Sequence, residues 1–293
     1  MKTAESMFKS HALPFYFVLT FAVSWGGILV ISGAAGGFPQ TKEQFEHLLV
    51  FFILALLLGP SLAGFVGTAI AYGKAGFRDL FSRLLRWRMD ARWYAVALLT
   101  APLVLAAALL PLSQYSHVFL PGIVAKSSKT SLLSMGLVSG LVVGFFEEIG
   151  WTGFSTPRLR LRFGILGSGL IVGVLWGAWH IFLNALWASG AYAGELSPAV
   201  FVAARGFGDL VGLLPAYRVL MVWVYDRTGS LLLAMLMHAS LTASTIIVEP
   251  PEISGGHLLI YDLACAVAMW MLVGAAAVVI RLLGRRGAVG PVG

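Results

Sequence analysis

Two carboxylates stand side by side at the end of a long apolar run, in Leu141-Val142-Val143-Gly144-Phe145-Phe146-Glu147-Glu148-Ile149-Gly150-Trp151. One ionised side chain at the centre of a membrane helix costs about 2.5–3.5 kcal/mol on insertion scales. Such a pair persists only where it faces a protein interior or a wet cavity, so it marks a functional site whose partners the rest of the chain must supply. Of the six histidines, His11, His47, His117 and His257 fall in loops or near the ends of apolar runs, and only His180 and His238 lie well inside them. Helical spacing puts Trp176, His180 and Asn184 on one face, and His238 with Thr242 on another. A single imidazole at such depth serves equally well as a helix–helix hydrogen bond. Two of them with a glutamate pair are the parts needed to take a proton from water and return it to a leaving group.

The elements that must position these groups are membrane helices. Apolar residues are 59% of the 293 and charged residues 11%, whereas a soluble domain carries about 25% charged residues. Continuously apolar spans near 14–33, 48–72, 93–114, 131–150, 166–187, 201–224, 229–248 and 258–281 predict an all-α, polytopic transmembrane bundle of about eight helices. A β-barrel would alternate instead. The single Cys265 leaves no internal disulfide and no cysteine-based metal site. The net charge of +7 sorts by loop: Lys2, Lys9, Lys74, Arg78 to Arg92, Arg158 to Arg162, Arg227 and Arg281 to Arg286 fall on one side, and only Lys42, Lys126 and Lys129 on the other. Both termini are therefore expected in the cytoplasm. Topology accounts for the charge, and no nucleic-acid partner is expected.

The first span is longer than a signal-peptide core and reads as a retained anchor. Between the second and third spans, Leu80, Phe81, Leu84 and Leu85 share a face and arginines take the other, which predicts an amphipathic helix in the cytoplasmic interface over 77–92. The chain reads as one integral membrane domain, 1–293, with a flexible tail at 284–293. The fourth span meets the glutamates in its inner half, and His238 lies about 13 Å in from the cytoplasmic end of its span at helical rise. All of these groups can converge in the cytoplasmic half of the bundle. Gly136, Gly140 and Gly144 are expected to let a neighbouring helix approach the fourth span closely.

The Glu-Glu pair followed by Gly-Trp, the Trp176-Gly177-Ala178-Trp179-His180 run, and a further His238 with a polar residue four on resemble the type II CAAX prenyl protease and bacteriocin-processing family of intramembrane endopeptidases. The resemblance covers about 75–245, including the basic interfacial helix. It implies that Glu147 is the general base and that His180 shares or orients the water. It further implies that His238, helped by Thr242, donates to the oxyanion. A zinc version stays open, with Glu147, His180 and His238 as ligands, although no His-Glu-x-x-His helix is present. The implied substrates are peptides or membrane proteins cut near the interface, or prenylated C-terminal tetrapeptides. The implied setting is the lipid bilayer of the plasma membrane, with the site opening toward the cytoplasm.

Two positions depart from the family pattern. Arg five residues after the first Glu is Thr152 here, and Asn or Asp four after the last His is Thr242. Glu148 is accordingly expected to be protonated or paired with a distant arginine, with Arg158, Arg205 and Arg218 as candidates. The departures also admit a member that binds membrane partners without cutting them, as an immunity or regulatory protein. Gly206-Phe207-Gly208-Asp209, with Tyr225-Asp226 and Tyr261-Asp262, resembles the aspartyl proteases of the presenilin type, but in the wrong order. Arg205 and Asp209, one turn apart, are expected to form an ion pair.

Overall fold

The computed structural model describes residues 2–188, 192–251 and 253–288. It is all-helical, with no strand among the described residues. The helices are α1 (Lys2–Ala34), α2 (Lys42–Leu84), α3 (Ala91–Tyr115), α4 (Gly122–Ala125), α5 (Lys129–Gly150), α6 (Thr156–Trp179), α7 (Ile181–Trp187), α8 (Pro198–Val211), α9 (Leu213–Thr228), α10 (Leu231–Val248) and α11 (Gly255–Ala288). Of the tail expected at 284–293, residues up to Ala288 continue α11, and 289–293 lie outside the described residues.

Among the described residues seven helical runs are long and apolar enough to cross a membrane, and one of them, Lys129–Trp187, is 59 residues long. A straight helix of that length would reach almost 90 Å, about three hydrocarbon thicknesses. It folds back instead at Gly164, whose φ of 66° is a left-handed conformation open to glycine. The expected fourth and fifth spans are thus both present within one run. The expected sixth span is α8 and α9 in series, broken at Gly212 (φ −94°, ψ −121°).

α5 packs most extensively on α10, α1 on α2, and α6 on α9. The α5–α10 seam is close because α5 presents glycines: a Cβ on Gly144 would lie 2.5 Å from the Met235 carbonyl oxygen, and one on Gly140 would overlap that of Ala239. On the other flank, a Cβ on Gly173 of α6 would lie 2.5 Å from Cα of Pro215 in α9. These two seams bring α5, α6, α9 and α10 around one interior.

α2 turns at Gly73 (φ 54°, ψ −143°) into the amphipathic segment. That helix stops at Leu84, short of the 92 expected. The reason is tertiary. Ser230 Oγ donates to the Arg86 carbonyl at 2.7 Å and Arg86 Nη1 donates to the Thr228 carbonyl at 3.4 Å, tying the chain to the junction of α9 and α10. Leu80 packs in a small buried cluster with Ile149, Leu231 and Met235, so the amphipathic segment lies against the end of α5.

Candidate active site

The last turn of α5 carries Glu147 and Glu148 into the interior, where both are buried. The helix then widens into a π-turn, Trp151–Ser155, before α6 begins. Such widened turns cluster at functional sites because they re-aim the side chains next to them.

Each carboxylate has its own donors. Trp176 Nε1–H donates to Glu147 Oε2 at 2.8 Å across 29 residues of chain. Glu148 Oε2 accepts from Arg218 Nη1 at 2.8 Å and from the Thr152 hydroxyl one turn on. Glu148 Oε1 lies 2.7 Å from His238 Nδ1. The Arg218 guanidinium is fully buried and stacks over the Trp176 ring at 4.5 Å. A buried carboxylate is tolerated when it is paired and hydrogen-bonded, and Glu148 is both.

The imidazoles are oriented by these contacts. His238 Nδ1 faces an acceptor-only carboxylate, so it carries the proton, and Nε2 is turned toward Glu147 Oε2 at 3.9 Å. His180 stands at the break between α6 and α7. Its Nδ1 lies 2.8 Å from the Trp176 carbonyl, which can only accept, so Nδ1 is again the protonated nitrogen and Nε2 is left to face outward from that bond. Trp176 sits between the two rings, edge-to-face with His180 at 5.5 Å and with His238 at 5.0 Å. One indole therefore touches a glutamate, an arginine and both histidines.

The arginine expected for Glu148 is Arg218. Of the other two candidates, Arg158 stacks on Phe154 and Tyr72, and Arg205 pairs with Asp262 at 3.8 Å. The expected Arg205–Asp209 ion pair is not found among the described residues. Asn184 Nδ2 donates to Asp209 Oδ2 at 2.6 Å, and Arg205 turns to α11 and lies over the Trp187 ring. Asp226 is held by Arg160 at 2.8 Å, whereas Asp262 and Asp209 are engaged by Arg205 and Asn184. Thr242 is half-buried, and among the described residues its hydroxyl bonds to neither glutamate nor imidazole. The role of Trp176 was not read from the sequence beyond its shared face with His180. The signal was present in the spacing, since the indole stands one turn before that histidine.

A zinc ion would need Glu147, His180 and His238 to converge on one point with an open fourth position. Among the described residues no three His, Cys, Asp or Glu side chains are grouped to hold a metal. Glu147 Oε2 is already engaged by an indole N–H. The set does not fit a metal as it stands.

Fold and site together define a polytopic helical membrane protein with a buried carboxylate–imidazole centre. Residues 129–244, which hold both glutamates and both histidines, match the family model of Rce1-like type II CAAX prenyl endopeptidases. The chain is also 22% identical over 232 residues to CAAX prenyl protease 2 of Methanococcus maripaludis, a match covering 76% of this chain and 80% of that protein. These matches agree with the resemblance carried by the motifs: the stretch holding the site is similar to CAAX prenyl endopeptidases.

Proposed function

We propose that the protein is an intramembrane endopeptidase that hydrolyses peptide bonds with water activated at Glu147. The observation that carries this reading is the 3.9 Å approach of His238 Nε2 to Glu147 Oε2, with the opposite face of the ring fixed by Glu148 and, through it, by Arg218. Glu147 takes a proton from water as the oxygen attacks the substrate carbonyl. His238, carrying a second proton on Nε2 while Nδ1 stays on Glu148, donates to the oxyanion. Collapse breaks the C–N bond, and Glu147 returns the proton to the leaving amine. His180, whose Nε2 remains an acceptor, holds the water from the other side. No step requires a metal.

The substrate reading is a membrane-associated peptide or protein with an apolar chain near its cleavage point. An apolar groove of about 570 Å³ runs between α5 and α10, lined by Trp87, Leu141, Phe145, Phe146, Met235 and Leu236. Phe146 and the last two flank Glu147 and His238 in sequence. The arginine-rich loops lie at the glutamate end of α5, which supports a site that faces the cytoplasm from the plasma membrane. The non-catalytic alternative drew on Thr152 and Thr242; Arg218 supplies the charge missing at Thr152 from another helix, which weakens the first ground and leaves the second.

The test uses the full-length protein in proteoliposomes with two internally quenched peptides that share one C-terminal tetrapeptide, one farnesylated and one not. Cleavage of either, lost in Glu147→Ala and His238→Ala while both variants fold, is the expected result. Removing a transition-state donor of this kind typically costs about 10²–10³ in rate. Full activity in both variants would end the proposal. Preference between the peptides decides whether a prenyl group is read.

A further inference from the structure

The π-turn behind the glutamates has backbone acceptors that its own helix cannot serve. Residue 157 is proline, which has no N–H. In α-helical register that missing donor would have met the Gly153 carbonyl, and a buried carbonyl left unpaired is costly. The acceptor is taken by a side chain from far away in sequence: Arg83 Nη2 donates to the Gly153 carbonyl at 3.0 Å. Arg83 comes from the amphipathic segment of α2. Its fork is completed by Tyr225 Oη at 2.8 Å and by Asp79 Oδ2 at 2.9 Å, and its side chain is only 12% exposed.

The next carbonyl is served in the same way. Arg158 Nη1 donates to the Phe154 carbonyl, with the guanidinium stacked 3.8 Å from the Phe154 ring centroid. The Trp151 carbonyl receives the hydroxyls of Ser155 and Thr156, each at 2.7 Å. The turn that carries Thr152, and through it one donor to Glu148, is therefore held by side chains from three directions. Leu80 closes over it: a Cβ on Gly153 would lie 2.8 Å from Leu80 Cδ1.

We propose that Arg83, assisted by Arg158, is a positioning residue: it locks the π-turn so that Glu147 and Glu148 keep their separate bearings on Trp176 and Arg218, and it couples the amphipathic segment to the site. It touches no reacting atom. The kinetic part rests on the hydrolase reading, and the structural part does not.

The test compares Arg83→Lys and Arg158→Lys with wild type in proteoliposomes. Lysine keeps the charge but loses the fork. Amide hydrogen exchange over 145–157 is expected to rise about tenfold or more in Arg83→Lys, less in Arg158→Lys. With the quenched farnesylated peptide, kcat is expected to fall about tenfold with KM within twofold and the pH profile displaced, the pattern of an interaction realised in the transition state. Pro157→Ala restores a backbone donor, so Arg83→Lys in that background should cost clearly less, which a general loss of stability would not produce. Unchanged exchange in Arg83→Lys overturns the clamp. Raised exchange with an unaltered kcat and pH profile overturns the positioning role. A wild-type protein that cleaves neither peptide removes the hydrolase reading, and the exchange result with its Pro157→Ala control then decides the clamp alone.

Discussion

Arg218 Nη1 lies 2.8 Å from Glu148 Oε2 and 3.5 Å from Thr152 Oγ1, so an arginine from α9 occupies the space that a long side chain at 152 would fill. The short threonine leaves room for the incoming guanidinium and adds its own hydroxyl to the same oxygen. A residue that looked like the loss of a charge partner is half of a replacement for it.

Removing Arg218 leaves Glu148 buried and unneutralised, which for a broken buried pair costs about 3–5 kcal/mol. Arg218→Ala is expected to lower the thermal midpoint in detergent sharply and to abolish cleavage. Arg218→Ala combined with Thr152→Arg returns a guanidinium to Glu148 and is expected to recover much of the lost midpoint. A double variant no more stable than Arg218→Ala would show that the two positions do not exchange.

Trp176→Phe keeps a ring beside both histidines but removes the N–H on Glu147. Leaving a buried carboxylate without one of its donors costs about 1–3 kcal/mol. The same change frees Glu147 to rotate. The expected result is a fall in kcat of about fivefold to 150-fold, that free-energy range expressed as rate, with a smaller change in thermal midpoint. A kcat within twofold of wild type would show that the indole does not aim the carboxylate.

The membrane class, the glutamate pair and both histidines were legible because burial penalises charge so strongly in an apolar helix that each such residue advertises itself. Arg218 could be named only as one of three arginines, since distance along the chain says nothing of which guanidinium reaches a given carboxylate. The helix break at His180 was invisible, because the apolar pattern runs through it and Gly177 just before it is one of many glycines within the spans. The π-turn likewise leaves no periodic trace. Pro157 was the one visible sign that a carbonyl nearby lacked its donor, and only the fold shows that Arg83 meets it. The Arg205–Asp209 expectation failed for a related reason: one-turn spacing permits a pair, but Asn184 and Asp262 compete for the two groups from neighbouring helices.

Outside the membrane-spanning helices, Glu195 is held below the usual carboxylate range, chiefly by the Gly256 backbone N–H at 2.9 Å and next by its own backbone. A carboxylate with a lowered folded value stabilises the fold above its unfolded value, and that contribution disappears as pH falls through the folded one. The tie joins the loop before α8 to the first turn of α11. Amide exchange at Gly256 is expected to speed up as pH drops through the acid range, after correction for intrinsic exchange, and to be fast at every pH in Glu195→Gln. A Gly256 amide equally protected in that variant would show that the carboxylate charge plays no part.

Metal dependence gives the sharpest division between the two hydrolytic mechanisms considered for these residues. A catalytic zinc needs three protein ligands and an open position, whereas among the described residues no three His, Cys, Asp or Glu side chains are grouped to hold one. Ligation through the two Nε2 atoms and a Glu147 oxygen would require these side chains to draw together. On the proposed carboxylate-base mechanism, EDTA or dipicolinate is expected to leave cleavage of the quenched peptide within about twofold, far from the collapse that loss of a catalytic zinc brings. Purified protein is expected to carry well under one equivalent of zinc by elemental analysis. Stoichiometric zinc, with activity lost to chelator and restored by Zn²⁺ alone, would overturn the glutamate mechanism.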